Sequence, residues 1–350
     1  MKSSVEVKQR HIADAAVRAH VLRSNGIEVR RVEVMHLNRD CRHPDLSNLF
    51  RRQDVTEQVN ELESGYRGVT LTHLAMLQGP LPERATGDHC SSPSKCPFWA
   101  RCWPELPAHH LSTLHGARKK KIRQVSSVRG GRMVIEEGLA EALEAFKSPL
   151  AFLDFEAVQP PIPRWPGCGP YTHIPVQLSC HTLAAGRYDH VEWLADGPGD
   201  PRPEFARRLL AACSGSGSIV VYNSEYEAGC IRHLCEAVPE LGPELTDLGN
   251  RLVDLLPVLS AFVYDPSFGG SFSLKSLVPV LAPEVRYRGM AISEGRTAAN
   301  ELMRLLFDGN LDPQERSILR EHLLAYCKVD TWAMVRLFER LSQLARGAVG

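Results

Sequence analysis

From Leu150 to Glu156 the chain reads Leu-Ala-Phe-Leu-Asp-Phe-Glu, a run apolar enough to lie inside a sheet yet interrupted by two carboxylates at positions i and i+2. Strand alternation puts Asp154 and Glu156 on one face. Two unpaired anions beside an apolar run are expensive to bury, so they sit at the strand's open end or are neutralised by cations. Alone, an Asp-x-Glu pair is a weak signal, because exposed acids are ordinary.

Two further intrusions of acid give that pair partners. In Val220-Val221-Tyr222-Asn223-Ser224-Glu225-Tyr226-Glu227 a strand runs directly into a helix, and at helical period Glu227 falls on the stripe of Cys230, Ile231, Leu234 and Val238. Glu225 falls on the polar side. Asn223, at i−4 from Glu227, lies toward the same face and can hold a water or a carboxylate. In the last helix Asp330 interrupts the stripe Leu319, Leu323, Tyr326, Met334, Leu337 and Leu341, and Tyr326 stands one turn before it. A capped structural Asp would explain one such intrusion, but three independent ones suggest a shared site.

The surrounding pattern is α/β. Strands are expected at Leu150–Phe155, Pro175–Leu183, His190–Leu194 and Ile219–Tyr222, with helices after Glu204, from Ser224 and from Pro313 to Leu344. Tight strand returns followed by helices predict a mixed sheet flanked by helices. Ahead of this lies a smaller α/β region: a helix from Glu6 to about Ile27, a strand from Val29 to Leu37 and a helix from Val55 into Glu63. At 350 residues, two domains or one elaborated domain is expected.

Charge and targeting signals narrow the function classes. The 41 Lys+Arg balance 41 Asp+Glu, so any contact with nucleic acid must be local. The basic residues do cluster: between Leu106 and Arg132 there are seven Lys/Arg, three His and no acid, including Lys119, Lys120 and Lys121. Composition changes there and Gly130-Gly131 follows, so residues 106–147 read as a basic linker, either solvated or guiding a strand. No apolar run is long enough to span a membrane, and the start lacks the apolar core of a secretory signal, so a cytoplasmic protein is expected.

The segment from 148 onward resembles the DEDD superfamily of ribonuclease H-like exonucleases, in the subtype with a tyrosine four residues before its last aspartate. It looks most like the bacterial domain-of-unknown-function family 2779. The resemblance rests on Phe152-Leu153-Asp154-Phe155-Glu156, Ile174-Pro175-Val176-Gln177-Leu178-Ser179, Tyr222-Asn223-Ser224-Glu225-Tyr226-Glu227, Gly270-Ser271-Phe272-Ser273-Leu274-Lys275 and Tyr326-Cys327-Lys328-Val329-Asp330. It implies two Mg²⁺ or Mn²⁺ ions held by Asp154, Glu156, Glu227 and Asp330, with Tyr326 orienting the attacking water. Two departures stand out: Glu227 is longer by a methylene than the usual third Asp, and Ala157 replaces a frequent Thr. Arg164, Trp165 and Tyr171, in a Pro/Gly-rich loop, are candidates to stack a terminal base, with ordinary loop packing as the alternative. Lys275 is a candidate phosphate contact and Asp254 a helix cap.

Residues 1–105 resemble the C-terminal part of a RecB-like nuclease of the PD-(D/E)xK class, a restriction-endonuclease-like fold that commonly precedes the exonuclease-like domain in family 2779. Met1-Lys2-Ser3-Ser4 matches the strand carrying the catalytic lysine, and Arg18 stands where relatives often place Gln. The upstream acids of that centre are missing, so the region is expected to be a truncated remnant without activity of its own. Cys90, Cys96 and Cys102 match the trailing three ligands of the iron–sulfur staple of such nucleases, with the fourth missing. They are read as an incomplete iron–sulfur or zinc site that Cys41, His89 or His43 could complete, against the alternative of reduced thiols in a loop.

These readings lead to a metal-dependent 3′-5′ exonuclease acting on a single-stranded DNA or RNA end. The alternative is a catalytically silent nucleic-acid-binding module with structural acids and a basic linker.

Overall fold

The structure is a computed structural model that describes residues 1–83, 85–92, 94–102 and 118–347; the side chains of 67, 88 and 118–122 lie outside that description. The chain divides into two compact units, Met1–Glu105 with Gln159–Thr172, and Leu106–Val158 with His173–Gly350. Among the described residues no helix is long and apolar enough to cross a membrane.

In the first unit, helix α1 (Gln9–Ser24) is followed by strands β1 (Glu33–Leu37) and β2 (Phe50–Asp54), paired antiparallel, then by helix α2 (Thr56–Gln78) and the short α3 (Trp99–Cys102). Gly26, at φ +80°, turns the chain after α1. Ile12, Ala16 and Ala19 pack on Val34, Val55 and Val59 to form a small core. The strand expected from Val29 begins only at Glu33, whereas α2 continues well past Glu63. Gly65 and Gly68 do not stop it, since both stand in open space on its surface.

The second unit opens with α4 (Arg118–Gly130), β3 (Val134–Ile135) and α5 (Leu139–Leu143). The expected linker is therefore folded chain in its second half. Arg123 is buried and donates to the carbonyls of Ser260 and Ala261, and Ser127 donates to the carbonyl of Arg132 at 2.7 Å. β3 pairs antiparallel with a later strand through Val134 and Ile135. The basic run masks the signal: Lys and Arg are good helix formers, and the apolar residues Ile122, Val125 and Val128 recur every third position.

A five-stranded mixed sheet follows. Strands β4 (Leu150–Val158), β5 (Ile174–Ala184) and β6 (Arg187–Leu194) form an antiparallel meander. After α6 (Arg202–Ala212) comes β7 (Ser218–Val221), which lies parallel to β4, and after α7 (Glu225–Ala237) and α8 (Gly242–Asn250) comes β8 (Leu252–Asp254), parallel to β7. The strand order is β6-β5-β4-β7-β8, so β4 is central. The remaining elements are α9 (Leu255–Phe262), β9 (Val263–Tyr264, the partner of β3), α10 (Leu274–Leu281), α11 (Gly295–Phe307) and α12 (Pro313–Gly347).

Alternation along β4 divides the core. Leu150 and Phe152 pack with Leu255 of α9, Leu277 of α10 and Met334 and Leu337 of α12. Ala151, Leu153 and Phe155 pack on the opposite face with Phe205 and Leu209 of α6, Ile231 and Leu234 of α7 and Leu245 of α8. Helices thus cover both faces, as a buried central strand requires.

Candidate metal centre

β4 pairs with β7 only from Leu150 to Phe152, so Asp154 and Glu156 stand beyond the end of that ladder, where the sheet opens. Their cross-strand partners on β5 are Ser179 and Gln177. The site therefore forms at the carboxyl ends of the parallel strands β4, β7 and β8, where open α/β sheets leave a crevice. From above this edge α12 brings Tyr326 and Asp330, one turn apart, on its buried stripe. One carboxylate oxygen from each of Asp154, Glu156 and Asp330 lies within 4.8 Å of the others, the one group of this kind among the described residues. They line a cleft of about 590 Å³ together with Tyr222, Asn223, Ser273, Lys275 and Tyr326.

Glu227, in the first turn of α7, is 2% exposed, and its Oε2 has no hydrogen-bond partner among the described residues. It stands outside the three-oxygen group but close enough for its charge to act on Asp154. The turn that presents it is fixed by Asp254: its carboxylate accepts the N–H groups of Asn223 at 3.0 Å, Ser224 at 2.9 Å and Leu256 at 2.9 Å. Asp254 therefore caps α9 and ties the β7–α7 turn to β8. Asn223 takes φ +71°, a left-handed conformation that Asn tolerates. It lies outside α7, so the helical spacing to Glu227 does not apply, although it does line the cleft.

Burial pushes every one of these acids upward, and repulsion by neighbouring acids adds to it at Asp154, Glu156 and Glu227. Asp154 is raised well above the usual carboxylate range, first by desolvation and then by Asp330, Glu156 and Glu227. Glu156 is raised to about 8 by burial and by Asp330, against the pull of Lys275. Glu227 is raised to about 8 by burial, with Asp254 adding to it. Asp330 rises only to about 6, because burial is opposed by hydrogen bonds from Tyr287 and Tyr326 and by Lys275. Such a cluster keeps protons at neutral pH unless cations enter.

Four neighbours escape the sequence patterns. Tyr287, from the loop after α10, donates to Asp330 Oδ1 at 2.7 Å. Cys327 donates to Asp154 Oδ2 at 3.6 Å, and burial pushes its thiol well up, so it remains a neutral donor. Gln177 Nε2 donates to the Leu323 carbonyl at 2.8 Å, pinning α12 to β5. The start of α11 is the fourth: a side chain at Gly295 would come within 4.0 Å of the Tyr326 hydroxyl. Lys275, read as a phosphate contact, holds its ammonium 5.5 Å from the Tyr326 ring centre and 5.9 Å from that of Tyr287.

Trp165 is 3% exposed, and Tyr171 packs on Leu37, Cys41 and Leu49 with its hydroxyl against Ser3. The loop carrying Arg164, Trp165 and Tyr171 belongs to the first unit, where Trp165 is buried and Tyr171 half-buried. Lys119, Lys120 and Lys121 are on α4, and their side chains lie outside the described residues. Cys90, Cys96 and Cys102 are free thiols, buried, half-buried and exposed in turn, and they do not converge into a ligand group. Backbone bonds order the segment, Cys96 N–H to the Cys90 carbonyl at 2.8 Å and Cys102 N–H to the Phe98 carbonyl at 3.2 Å. Cys41 donates to the Asp45 carbonyl at 3.6 Å. Lys2 pairs with Asp14, which also meets Arg18 at 3.2 Å.

Residues 151–273 match the model of a family described as Domain of unknown function (DUF2779). The match spans β4 to the threshold of α10, and so takes in Asp154, Glu156 and Glu227. No curated protein and no solved structure matches the chain.

Proposed function

We propose that this chain is a metal-dependent nuclease that removes nucleotides from a 3′ end by two-metal phosphodiester hydrolysis, its second unit being a ribonuclease H-like domain of the DEDD type. The observation that carries this reading is the convergence of Asp154, Glu156 and Asp330 within 4.8 Å on an open cleft. A mixed sheet flanked by helices, with the first acid pair at the end of its central strand, accords with that fold.

The donor set fits hard divalent cations, which prefer oxygen ligands: every candidate donor is a carboxylate, and Glu227 Oε2 is buried without a partner. Asp154, Glu156, Glu227 and Asp330 would hold the ions. When bound, a pair of Mg²⁺ or Mn²⁺ ions would polarise the phosphodiester and make a nearby water more acidic. Tyr287 fixes the rotamer of Asp330 through Oδ1. The Tyr326 hydroxyl, pushed well above its usual range by burial and by Asp330, keeps its proton, donates it in a hydrogen bond to Asp330 in the ion-free site, and would orient water rather than act as a base. Lys275 supplies the positive charge that a phosphate entering an acidic cleft requires.

The test is degradation of 5′- and 3′-labelled single-stranded DNA and RNA with Mg²⁺, Mn²⁺ or EDTA. Stepwise shortening from the 3′ end that EDTA abolishes is expected. Strands bound but left intact with both metals would favour the silent binding module.

A further inference from the structure

Beside the acidic cleft lies a second groove of about 740 Å³, whose lining includes Lys275, Val285, Arg286, Arg288 and Met290. Its volume is that of a ligand site. It meets the cleft at two residues: Lys275 lines both, and Tyr287 lines the groove while its hydroxyl reaches Asp330. The loop after α10 is built for this division. Tyr287 turns inward to Asp330, the flanking Arg286 and Arg288 are exposed, and Gly289, at φ +92°, turns the chain immediately afterwards.

The two arginine charges of this groove are uncommitted, while Lys275 also acts on Glu156 and Asp330. Neither Arg286 nor Arg288 makes an ion pair among the described residues, whereas neighbouring Glu284 is taken by Arg336 at 2.6 Å. Lys275, Arg286 and Arg288 therefore face a single lining acid, Glu294. Beneath the charges the floor is apolar, with Val278 and Val285 buried and Met290 half-buried. Cations along a rim over an apolar floor suit a chain of phosphates carrying flat, weakly polar bases. The cleft cannot supply this itself: Asp154, Glu156 and Asp330 repel phosphate, and Lys275 is the one cation in its lining.

We propose that this groove is a binding track for a single-stranded nucleic acid, holding the nucleotides that extend away from the reacting end while Lys275 hands the strand to the cleft. This rests on the nuclease reading of the acids, whose site it extends. Arg286 and Arg288 each contact a backbone phosphate, and bases rest against Val285 and Met290.

The test is the salt dependence of binding of 5′-labelled dT12 and dT2 by the full chain carrying Asp154→Asn, so that the strand is not consumed, with and without Arg286→Ala and Arg288→Ala together. Removing two phosphate contacts should lower the log–log slope for dT12 by about 1.4, at about 0.7 per single-strand phosphate. Affinity for dT12 should fall at least about tenfold more than affinity for dT2, whose single phosphate stays in the cleft. An unaltered slope, an equal loss on dT2, or competition by a polyglutamate peptide equal to that of unlabelled dT12 would overturn the proposal. Slope loss together with a wild-type chain that degrades no strand with Mn²⁺ would reject the nuclease reading and keep the groove. Degradation by the wild-type chain without slope loss in the arginine variant would do the reverse.

Discussion

The acids of the second unit and the cysteines of the first were singled out for the same chemical reason, good ligand atoms in suggestive positions, and the fold treats them differently. Asp154, Glu156 and Asp330, from a strand end and a helix almost two hundred residues later, bring their oxygens within 4.8 Å of one another. Cys90, Cys96 and Cys102 lie within one short segment and do not converge. The difference lies in cost. A carboxylate on a buried face is penalised unless something compensates, so its presence there signals a compensating partner. A reduced thiol is a small hydrophobe that loop or core accepts equally, so its spacing carries no energetic demand. Regular spacing is thus weaker evidence than a violated pattern.

The largest expected effect comes from removing an acid. Asp154→Asn or Asp330→Asn should lower Mn²⁺-dependent degradation on the order of a thousandfold, as losing several kcal/mol of charge stabilisation implies. The metal-free protein should melt no lower than wild type, since one like charge has left the cluster. Replacing all four acids by Ala should leave no cleavage; cleavage that persisted would mean a second centre in the first unit and would invert the comparison.

Tyr287→Phe removes the hydrogen bond to Asp330 Oδ1 without emptying the space. Mn²⁺ affinity should fall by roughly 10- to 100-fold, the usual consequence of freeing a ligand from its supporting partner. Unchanged affinity in a titration would show that packing alone holds Asp330 in place.

The acids also set a pH signature. Glu156 and Glu227 rise from an ordinary 4.5 to about 8 on folding, so between those values the folded chain binds protons more tightly than the unfolded chain. Stability is therefore highest below about 4.5 as far as these groups go, falls as pH rises through the window, and levels off above about 8. Melting temperature without metal should drop by several degrees between pH 5 and pH 8, and Glu227→Gln should flatten the curve. A flat wild-type curve would mean that the acids are far better solvated than their burial implies.

The smallest effect belongs to the cysteines. Cys102 is exposed, and Cys102→Ser should shift stability by no more than about 0.5 kcal/mol and leave iron and zinc content unaltered. Loss of bound iron or zinc on that change would establish the metal reading of the segment.

How much of this was legible follows from locality. Strand alternation located Asp154 and Glu156, and the helical period located Glu227 and Asp330, because each is a local pattern broken by one residue. Tyr287 was invisible: it sits 43 positions before Asp330 in a loop with no period, and only the return of α12 across the sheet brings the two together. Cys327 carries no signal in the sequence, since a thiol on a buried stripe breaks no rule. Of the sheet, β8 was missed because three residues show no alternation, and α4 because its charge hid a packed face. Residue type alone makes Trp165 and Tyr171 candidates to stack a base, and the packing of Tyr171 on Leu37, Cys41 and Leu49 is a set of contacts distant in sequence that no local pattern shows.

The central claim is that the four acids form one site for divalent cations, and calorimetric titration of the full chain with Mn²⁺ at pH 7.5 tests it most directly. Two ions per chain should bind with release of protons, visible as a dependence of the heat on the buffer, because Glu156 and Glu227, at about 8, are largely protonated before the ions arrive. Asp154→Asn and Asp330→Asn should each abolish at least one of the two binding events. Absence of saturable binding, or binding that is unchanged in both variants, would contradict the account.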